Sequence, residues 1–153
     1  MSTSVLLARP HTFIVSEMKP FLEEAGFKVI KAEKPADLTD LSRACAGAVI
    51  SLAVSSSMDA SPEDVVKRLR EANAKMPLLF AALLPYAKIK DSLDRVGRQA
   101  GLTAKALGLE DGGVHRAELG SASALLYLSK DDLANAITRQ QALQAVRRHF
   151  GLR

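Results

Sequence analysis

The sequence predicts an α/β protein in which a five-stranded parallel sheet lies between two layers of helices. Short apolar runs that suit buried strands alternate with segments whose apolar residues recur at helical spacing. Such alternation favours a parallel sheet, and right-handed crossovers then place helices on both of its faces. The length of 153 residues suits one ordinary domain, so we expect residues 1–153 to form a single unit.

Three strands and the helices between them are predicted in the first half of the chain. Ser4–Ala8 is the first strand, and apolar residues at one-face spacing predict a helix over Phe13–Ala25. Phe27–Ala32 is the second strand, followed by a short helix within residues 35–47. Ala48–Val54 carries no charge and is predicted as a third strand, buried on both faces.

The second half begins with the strongest local helix signal in the chain. Ser61 is a typical N-cap, and Pro62 and two acidic residues follow it in the first turn of a helix over 61–75. A connection without secondary structure would be unusually long over 84–123, so we expect helices there as well. The remaining predicted elements are a fourth strand (76–83), helices over 90–101 and 103–120, a fifth strand (123–129) and a final helix (Asp131–Phe150).

Composition excludes several classes of protein. The net charge is only +4, too small for a nucleic-acid signature, and the single cysteine, Cys45, rules out an intrachain disulfide and a cysteine-rich zinc site. Cys45 lies on an apolar helix face, where we expect a core residue. His11, His115 and His149 have no ligand-like spacing, and for His149 we expect a helix-terminal role. Without a signal peptide or an apolar run long enough to span a bilayer, we expect a cytoplasmic protein.

Several phrases, taken in order, resemble the receiver domain of two-component response regulators. They are similar to the first helix and second strand of that family (Phe21–Ala32), its third strand (46–52), its proline-led fourth strand (76–83) and its approach to strand five (118–133). The resemblance covers nearly the whole chain except an insertion at about 85–117. It implies a flavodoxin-like, receiver-like three-layer sandwich with a helical insertion between strands four and five.

The resemblance also implies where the family's chemistry would lie. Active receivers accept a phosphoryl group on an aspartate at the end of strand three, beside Mg²⁺ held by an acidic pair after strand one. A hydroxyl after strand four and a lysine after strand five stabilise the phosphoryl oxygens. The matching positions here are Arg9 and Pro10 for the acidic pair, Leu52 (or Ser51, one residue earlier) for the acceptor, Ala82 for the hydroxyl and Lys130 for the lysine.

At three of these four positions, the residue in this chain therefore cannot perform the chemistry of the family. Leucine cannot accept a phosphoryl group, and no carboxylate pair is present to hold Mg²⁺. Arg9 puts a fixed positive charge near the metal position, and we favour a solvated arginine at a strand end as its interpretation. We predict a pseudo-receiver: a non-catalytic module with no metal or cofactor, acting in bacterial signalling through contact with another protein and not with a membrane.

The predicted contact surface is the face formed by helix four, strand five and helix five. Active receivers often use that face for dimer or output contacts, and the insertion in this chain alters it most. Tyr127, at the position of the family's aromatic switch, is expected at the edge of this surface. The partner is then a second copy of the chain or another protein. The alternative is a monomer whose insertion only covers the edge of the sheet.

Two other functions remain open at this point. The segment 95–107 resembles a helix-turn-helix, in which Arg95, Arg98 and Lys105 could reach DNA phosphates. Gly108 would cut its second helix short, so we favour an ordinary helix–loop–helix insertion and expect no nucleic-acid partner. The other alternative is a small-ligand binder or enzyme at the strand ends of the same frame, where few reactive groups are available.

Overall fold

The computed structural model describes residues 3–9, 14–52, 61–73, 75–99, 105–108 and 124–151. The strands in these ranges are β1 (Thr3–Arg9), β2 (Phe27–Lys31), β3 (Gly47–Ser51), β4 (Leu78–Ala82), β5 (Lys105–Gly108) and β6 (Ala124–Ser129). The helices are α1 (Lys19–Glu24), α2 (Pro35–Ser42), α3 (Pro62–Ala72), α4 (Tyr86–Gln99), α5 (Lys130–Ala134) and α6 (Ala136–His149). A π-helical turn over Ile14–Met18 leads into α1.

The described strands form one parallel sheet in the order β2-β1-β3-β4-β6-β5. The order 2-1-3-4, continued by β6 in fifth place, is that of a flavodoxin-like fold, so the predicted fold class is confirmed. The difference is β5, because we expected Lys105–Gly108 to belong to a helix. Its backbone pairs along the outer side of β6, from Lys105 opposite Ala124 to Gly108 opposite Tyr127. This pairing satisfies backbone groups that β6 would otherwise expose, and it outweighs the local preference for helix.

Alternating side chains of the central strands separate two buried cores. Leu7, Val49, Leu79 and Leu126 belong to the core that contains α1, α5 and α6. The other core lies under α2, α3 and α4 and contains the following buried residues: Leu6, Ala48, Ile50, Leu78, Phe80 and Leu125 from the strands, and Leu38, Val65, Leu69, Ile89 and Leu93 from the helices. The described helices therefore cover both faces of the sheet, as the three-layer prediction requires.

Capping side chains fix several helix ends. Ser61 Oγ accepts a hydrogen bond from the amide of Asp64 at the start of α3, as predicted. The final helix, however, is two helices separated at Asn135, whose backbone is extended. The Asn135 side chain accepts hydrogen bonds from the amides of Ile137 and Thr138, so it caps α6 and interrupts the predicted continuous helix. Cys45 is buried, as expected of a core residue, and burial raises the pKa of its thiol.

The end of α6 closes the amino edge of the sheet, by which we mean the side where the parallel strands begin. Phe150 lies on Gly47, the first residue of β3, so closely that a Cβ at Gly47 would come within 2.1 Å of the ring. The same ring meets Phe27 edge-on, with their centroids 5.7 Å apart. A glycine at the start of β3 is therefore what allows the aromatic ring to seal this edge.

His149 lies beside Phe150 and is fully buried at the same edge. Its Nε2 is 2.9 Å from the carbonyl oxygen of Leu78, the first residue of β4. Because a carbonyl can only accept, Nε2 carries the proton of the neutral ring. Burial lowers the pKa of His149 to about 4; the hydrogen bond with Leu78 opposes this shift, and the nearby Arg70 guanidinium adds to it. The expectation of a helix-terminal position is met, since His149 is the last residue of α6, but the imidazole faces the core.

Candidate site at the carboxyl edge of the sheet

The carboxyl ends of parallel strands meet along one side of a sheet, where proteins of this architecture bind their ligands. We call this side the carboxyl edge; its described residues of interest are Arg9, Ser51, Leu52, Ala82, Ser129 and Lys130. The backbone links the neighbouring strand ends, because the Leu52 amide donates to the Ala81 carbonyl at 3.1 Å and Ala82 pairs with Ser129. The sequence-predicted positions therefore lie along one edge, except Pro10, which falls outside the described residues.

Arg9 is buried at this edge, with only 4% of its surface exposed. Our expectation of a solvated arginine was therefore wrong. Its Nη1 donates a hydrogen bond to the carbonyl oxygen of Ser51 at 2.8 Å, which joins the end of β1 to the end of β3. Burial lowers the pKa of Arg9, and the negative charge of Glu63 in the first turn of α3 partly offsets this shift.

A bulge in β1 accompanies the burial of Arg9. Leu7 pairs with Val49, but the next pair is Arg9 with Ile50, so β1 has one residue more than β3 at this point. Bulges of this kind redirect a side chain at the end of a strand. The bulge depends on pairing between distant segments and has no local signature, which is why sequence reasoning could not find it.

Ser51 and Leu52 are the two residues that the sequence resemblance matched to the phosphoryl acceptor. Ser51 ends β3 and is buried, while Leu52 is half-buried and packs against the core beneath α2, α3 and α4. Neither side chain is acidic. Ala82, which the resemblance matched to the hydroxyl position, is also half-buried and packs against the same core.

The turn from β6 into α5 uses its polar groups to cap a helix. Ser129 Oγ accepts from the Asp132 amide at 3.2 Å, and the Asp132 carboxylate accepts from the Ser129 amide at 2.8 Å. This capping box buries Asp132, which we expected near the N-terminus of the last helix but did not assign to the carboxyl edge. Its signal was present as a serine followed three residues later by an aspartate. Lys130, between them, is exposed to solvent.

Tyr127 is fully buried, so our expectation that it lies at the edge of an exposed surface was wrong. Its hydroxyl donates to the carbonyl oxygen of Leu84 at 2.5 Å, and its ring lies 6.1 Å from that of Tyr86. The hydroxyl thereby holds the loop between β4 and α4. That loop exposes two large apolar side chains, Leu83 (55% exposed) and Leu84 (49% exposed).

The helix-turn-helix interpretation does not match the structure. Arg95 and Arg98 are exposed on α4, but Lys105 begins strand β5 instead of lying on a recognition helix. Residues 100–104, where the turn was predicted, fall outside the described residues. The described part of the motif thus offers one helix and one sheet strand, which is not the arrangement that places a helix in the major groove.

Solved structures of similar fold are bacterial receiver domains. The receiver domain of the sensor histidine kinase PA1611 from Pseudomonas aeruginosa matches with a TM-score of 0.60 at 11% identity, covering 99% of both chains. A response regulator receiver protein from Sinorhizobium medicae matches with a TM-score of 0.57 at 16% identity, covering 98% of this chain and 95% of its own. This chain has the receiver fold.

A third structure supports the same conclusion about the receiver fold. The signal receiver domain of an HD domain-containing protein from Pseudomonas fluorescens matches with a TM-score of 0.58 at 14% identity, covering 98% of this chain and 88% of its own. Comparisons with models of protein families and with curated proteins gave no match. The likeness therefore rests on three-dimensional structure.

The described residues at the carboxyl edge do not fit the magnesium ion of receivers. The structure of the PA1611 receiver domain has a magnesium ion coordinated in its active-site cleft. Magnesium prefers carboxylate oxygens, whereas β1 ends here in a buried guanidinium that would repel a divalent cation. The described parts of the chain also contain no group of three or more His, Cys, Asp or Glu side chains placed to hold a metal.

None of the described helices has the length and apolar character needed to cross a membrane.

Proposed function

We propose that this chain is a receiver-like module of bacterial signalling that is not phosphorylated on aspartate, has no catalytic activity and acts by contact with another protein in the cytoplasm. The observation that carries the proposal is the pairing of Arg9 with Ser51 at the carboxyl edge. Arg9, which is buried, is the residue that the resemblance matches to the metal-binding acidic pair of receivers, and Ser51 and Leu52 are the residues that it matches to the acceptor aspartate. The receiver fold supports a signalling role, and these substitutions argue against phosphoryl transfer.

The exposed apolar side chains support protein contact. Among the described residues the large exposed hydrophobics are Leu83, Leu84 and Ile137, the last of them 73% exposed. The first two lie just before α4, and the third lies in the first turn of α6. We predicted a protein partner or a second copy on the face comprising helix four, strand five and helix five. Strand five of that prediction is β6, whose outer side is covered by β5, so the proposed contact rests on the exposed side chains beside α4 and at the start of α6.

Calorimetry with beryllium fluoride, a phosphoryl mimic, tests the absence of phosphotransfer chemistry. We expect no heat of binding when beryllium fluoride and magnesium chloride are titrated together into the protein, because β1 ends in the Arg9 guanidinium and neither Ser51 nor Leu52 carries a carboxylate. Magnesium chloride titrated into the PA1611 receiver domain serves as a positive control for the metal. Magnesium-dependent binding of beryllium fluoride in the low micromolar range would contradict the proposal.

Sedimentation velocity tests the contact surface, with a second copy of the chain as the first candidate partner. We expect self-association that increases with protein concentration and is weakened by Leu84→Asp, since a carboxylate on an apolar contact must be desolvated. Thr39→Asp, on an exposed position of α2, is the matched control and should leave self-association unchanged. A protein that stays monomeric at all concentrations would exclude the homodimer, and equal effects of the two variants would exclude this face.

A further inference from the structure

We propose that Arg9 is a built-in cation that locks the carboxyl edge in one conformation, so that the edge needs no divalent ion and does not switch. The Arg9 guanidinium donates to the Ser51 carbonyl at 2.8 Å, and its charge lies near Glu63. One side chain therefore connects the end of β1 with the end of β3, and the charge of Glu63 in the first turn of α3 acts on it electrostatically. The inference rests on the proposed function in one respect, since a locked edge matters for signalling only if the module works by contact.

The charge and the burial of Arg9 make the lock effective. A hydrogen bond from a charged donor is roughly twice as strong as one between neutral groups, and here it is shielded from water. Burial disfavours the charged guanidinium, and the Glu63 carboxylate and the Ser51 carbonyl offset part of this effect. Because arginine stays protonated throughout the physiological range, the lock has no unlocked state that pH or a metal could populate.

The β1 bulge is independent support for a dedicated tether. A regular register would continue from the pair of Leu7 and Val49 without an extra residue, whereas the bulge brings Arg9 opposite Ile50, one residue before Ser51. The main chain has thus departed from ideal pairing at the very place where the guanidinium meets the Ser51 carbonyl. A solvated arginine at a strand end would require no such departure.

Amide hydrogen exchange in Arg9→Met measures the lock residue by residue. The reporters are the Leu52 amide, which donates to Ala81, and the Val65 amide, which donates to Ser61 in the first turn of α3. We expect both to exchange about tenfold faster in the variant, a factor that corresponds to the loss of one charged hydrogen bond. The Ala48 amide, which donates to Pro77 at the amino edge, should change less than these two.

Two controls separate a lock from general stabilisation. Arg68→Met removes an exposed arginine from α3 and should leave all three amides unchanged. Glu63→Gln, which keeps Arg9 in place and guards against a poorly folded Arg9→Met, should speed exchange at Val65 more than at Ala48. Equal acceleration of the three amides in Arg9→Met would overturn the proposal, because it would mean that Arg9 only adds to global stability.

Magnesium provides the last arm of the test. Exchange at Leu52 in the unaltered protein should be the same with and without a millimolar excess of magnesium chloride. Slower exchange with magnesium would overturn the lock, since the edge would then still respond to a divalent ion. This result is separate from the test of the proposed function: beryllium fluoride could fail to bind while magnesium still slows exchange, or Arg9 could act as a lock in a module whose partner contact lies elsewhere.

Discussion

The amino and carboxyl edges of the sheet are closed by different kinds of interaction. At the amino edge the Phe150 ring covers Gly47, and a neutral His149 donates to Leu78. At the carboxyl edge a charged Arg9 donates to Ser51, and the neighbouring loop leaves leucine side chains in solvent. The amino edge is stabilised by close packing, whereas the carboxyl edge is stabilised by a charged hydrogen bond. The comparison indicates that close packing dominates at the amino edge, while a charged hydrogen bond and two exposed leucine side chains characterise the carboxyl edge.

The contact between Gly47 and Phe150 should give the largest effect. Gly47→Val would force the Phe150 ring out of its site, and we expect the free energy of unfolding to fall by about 3 kcal/mol or more. Urea unfolding followed by circular dichroism measures the change. Gly97→Ala, within α4, is the matched control: its Cβ would lie 3.4 Å from the side chain of Leu125 in β6, so the variant should be neutral or more stable by up to about 1 kcal/mol.

A double variant checks that the ring itself is the cause. Gly47→Ala combined with Phe150→Leu should be less destabilised than the sum of the two single changes, because the smaller side chain makes room for the new methyl group. A Gly47→Val protein that unfolds at the same urea concentration as the unaltered chain would show that the amino edge does not depend on this packing.

Protonation of His149 should give an effect of similar size, confined to acid pH. The pKa of His149 is about 4 in the folded protein and near 6.5 in the unfolded chain, so between these values only the unfolded chain binds the extra proton. The contribution of His149 to the free energy of unfolding should therefore be constant above about pH 6.5. It should fall by about 3 kcal/mol as the pH is lowered to 4.

Urea unfolding of His149→Gln as a function of pH checks this prediction. The variant lacks the titrating ring, and the difference between its stability profile and that of the unaltered protein isolates His149 from the other acidic and histidine groups. The two profiles should converge as the pH falls from about 6.5 to 4. Parallel profiles across that range would mean that His149 is already able to accept a proton in the folded state.

The sequence could predict those parts of the molecule that depend on local patterns. Apolar runs located the central strands, and the serine at position 61 located the start of α3, because each is a signal within a few residues. The strand Lys105–Gly108 was missed because its pairing with β6 is non-local. The burial of Arg9 was missed for the same reason, since it depends on a bulge and on a carbonyl 42 residues away in sequence. The location of these residues along one edge of the sheet could therefore be predicted, whereas their interactions could not.

Loss of the Tyr127 hydroxyl should have a moderate effect on the carboxyl edge. Tyr127→Phe removes the hydrogen bond to the Leu84 carbonyl, and we expect the free energy of unfolding to fall by about 1 kcal/mol. The amide of Lys88, which donates to Pro85 at the start of α4, should exchange faster in the variant. No change in stability or exchange would mean that the loop carrying Leu83 and Leu84 is held by other contacts.

The smallest effects are expected at the turn between β6 and α5, where two adjacent residues should behave differently. Ser129→Ala removes the N-cap of α5 and leaves the Asp132 amide without its side-chain acceptor, so the free energy of unfolding should fall by about 1 kcal/mol. Lys130→Ala changes an exposed side chain and should alter stability by less than about 0.5 kcal/mol. Urea unfolding of both variants measures the contrast. A larger effect for Lys130→Ala than for Ser129→Ala would mean that the lysine makes a stabilising contact at the carboxyl edge. Arg9 would then not be the only cation that stabilises the described part of this edge.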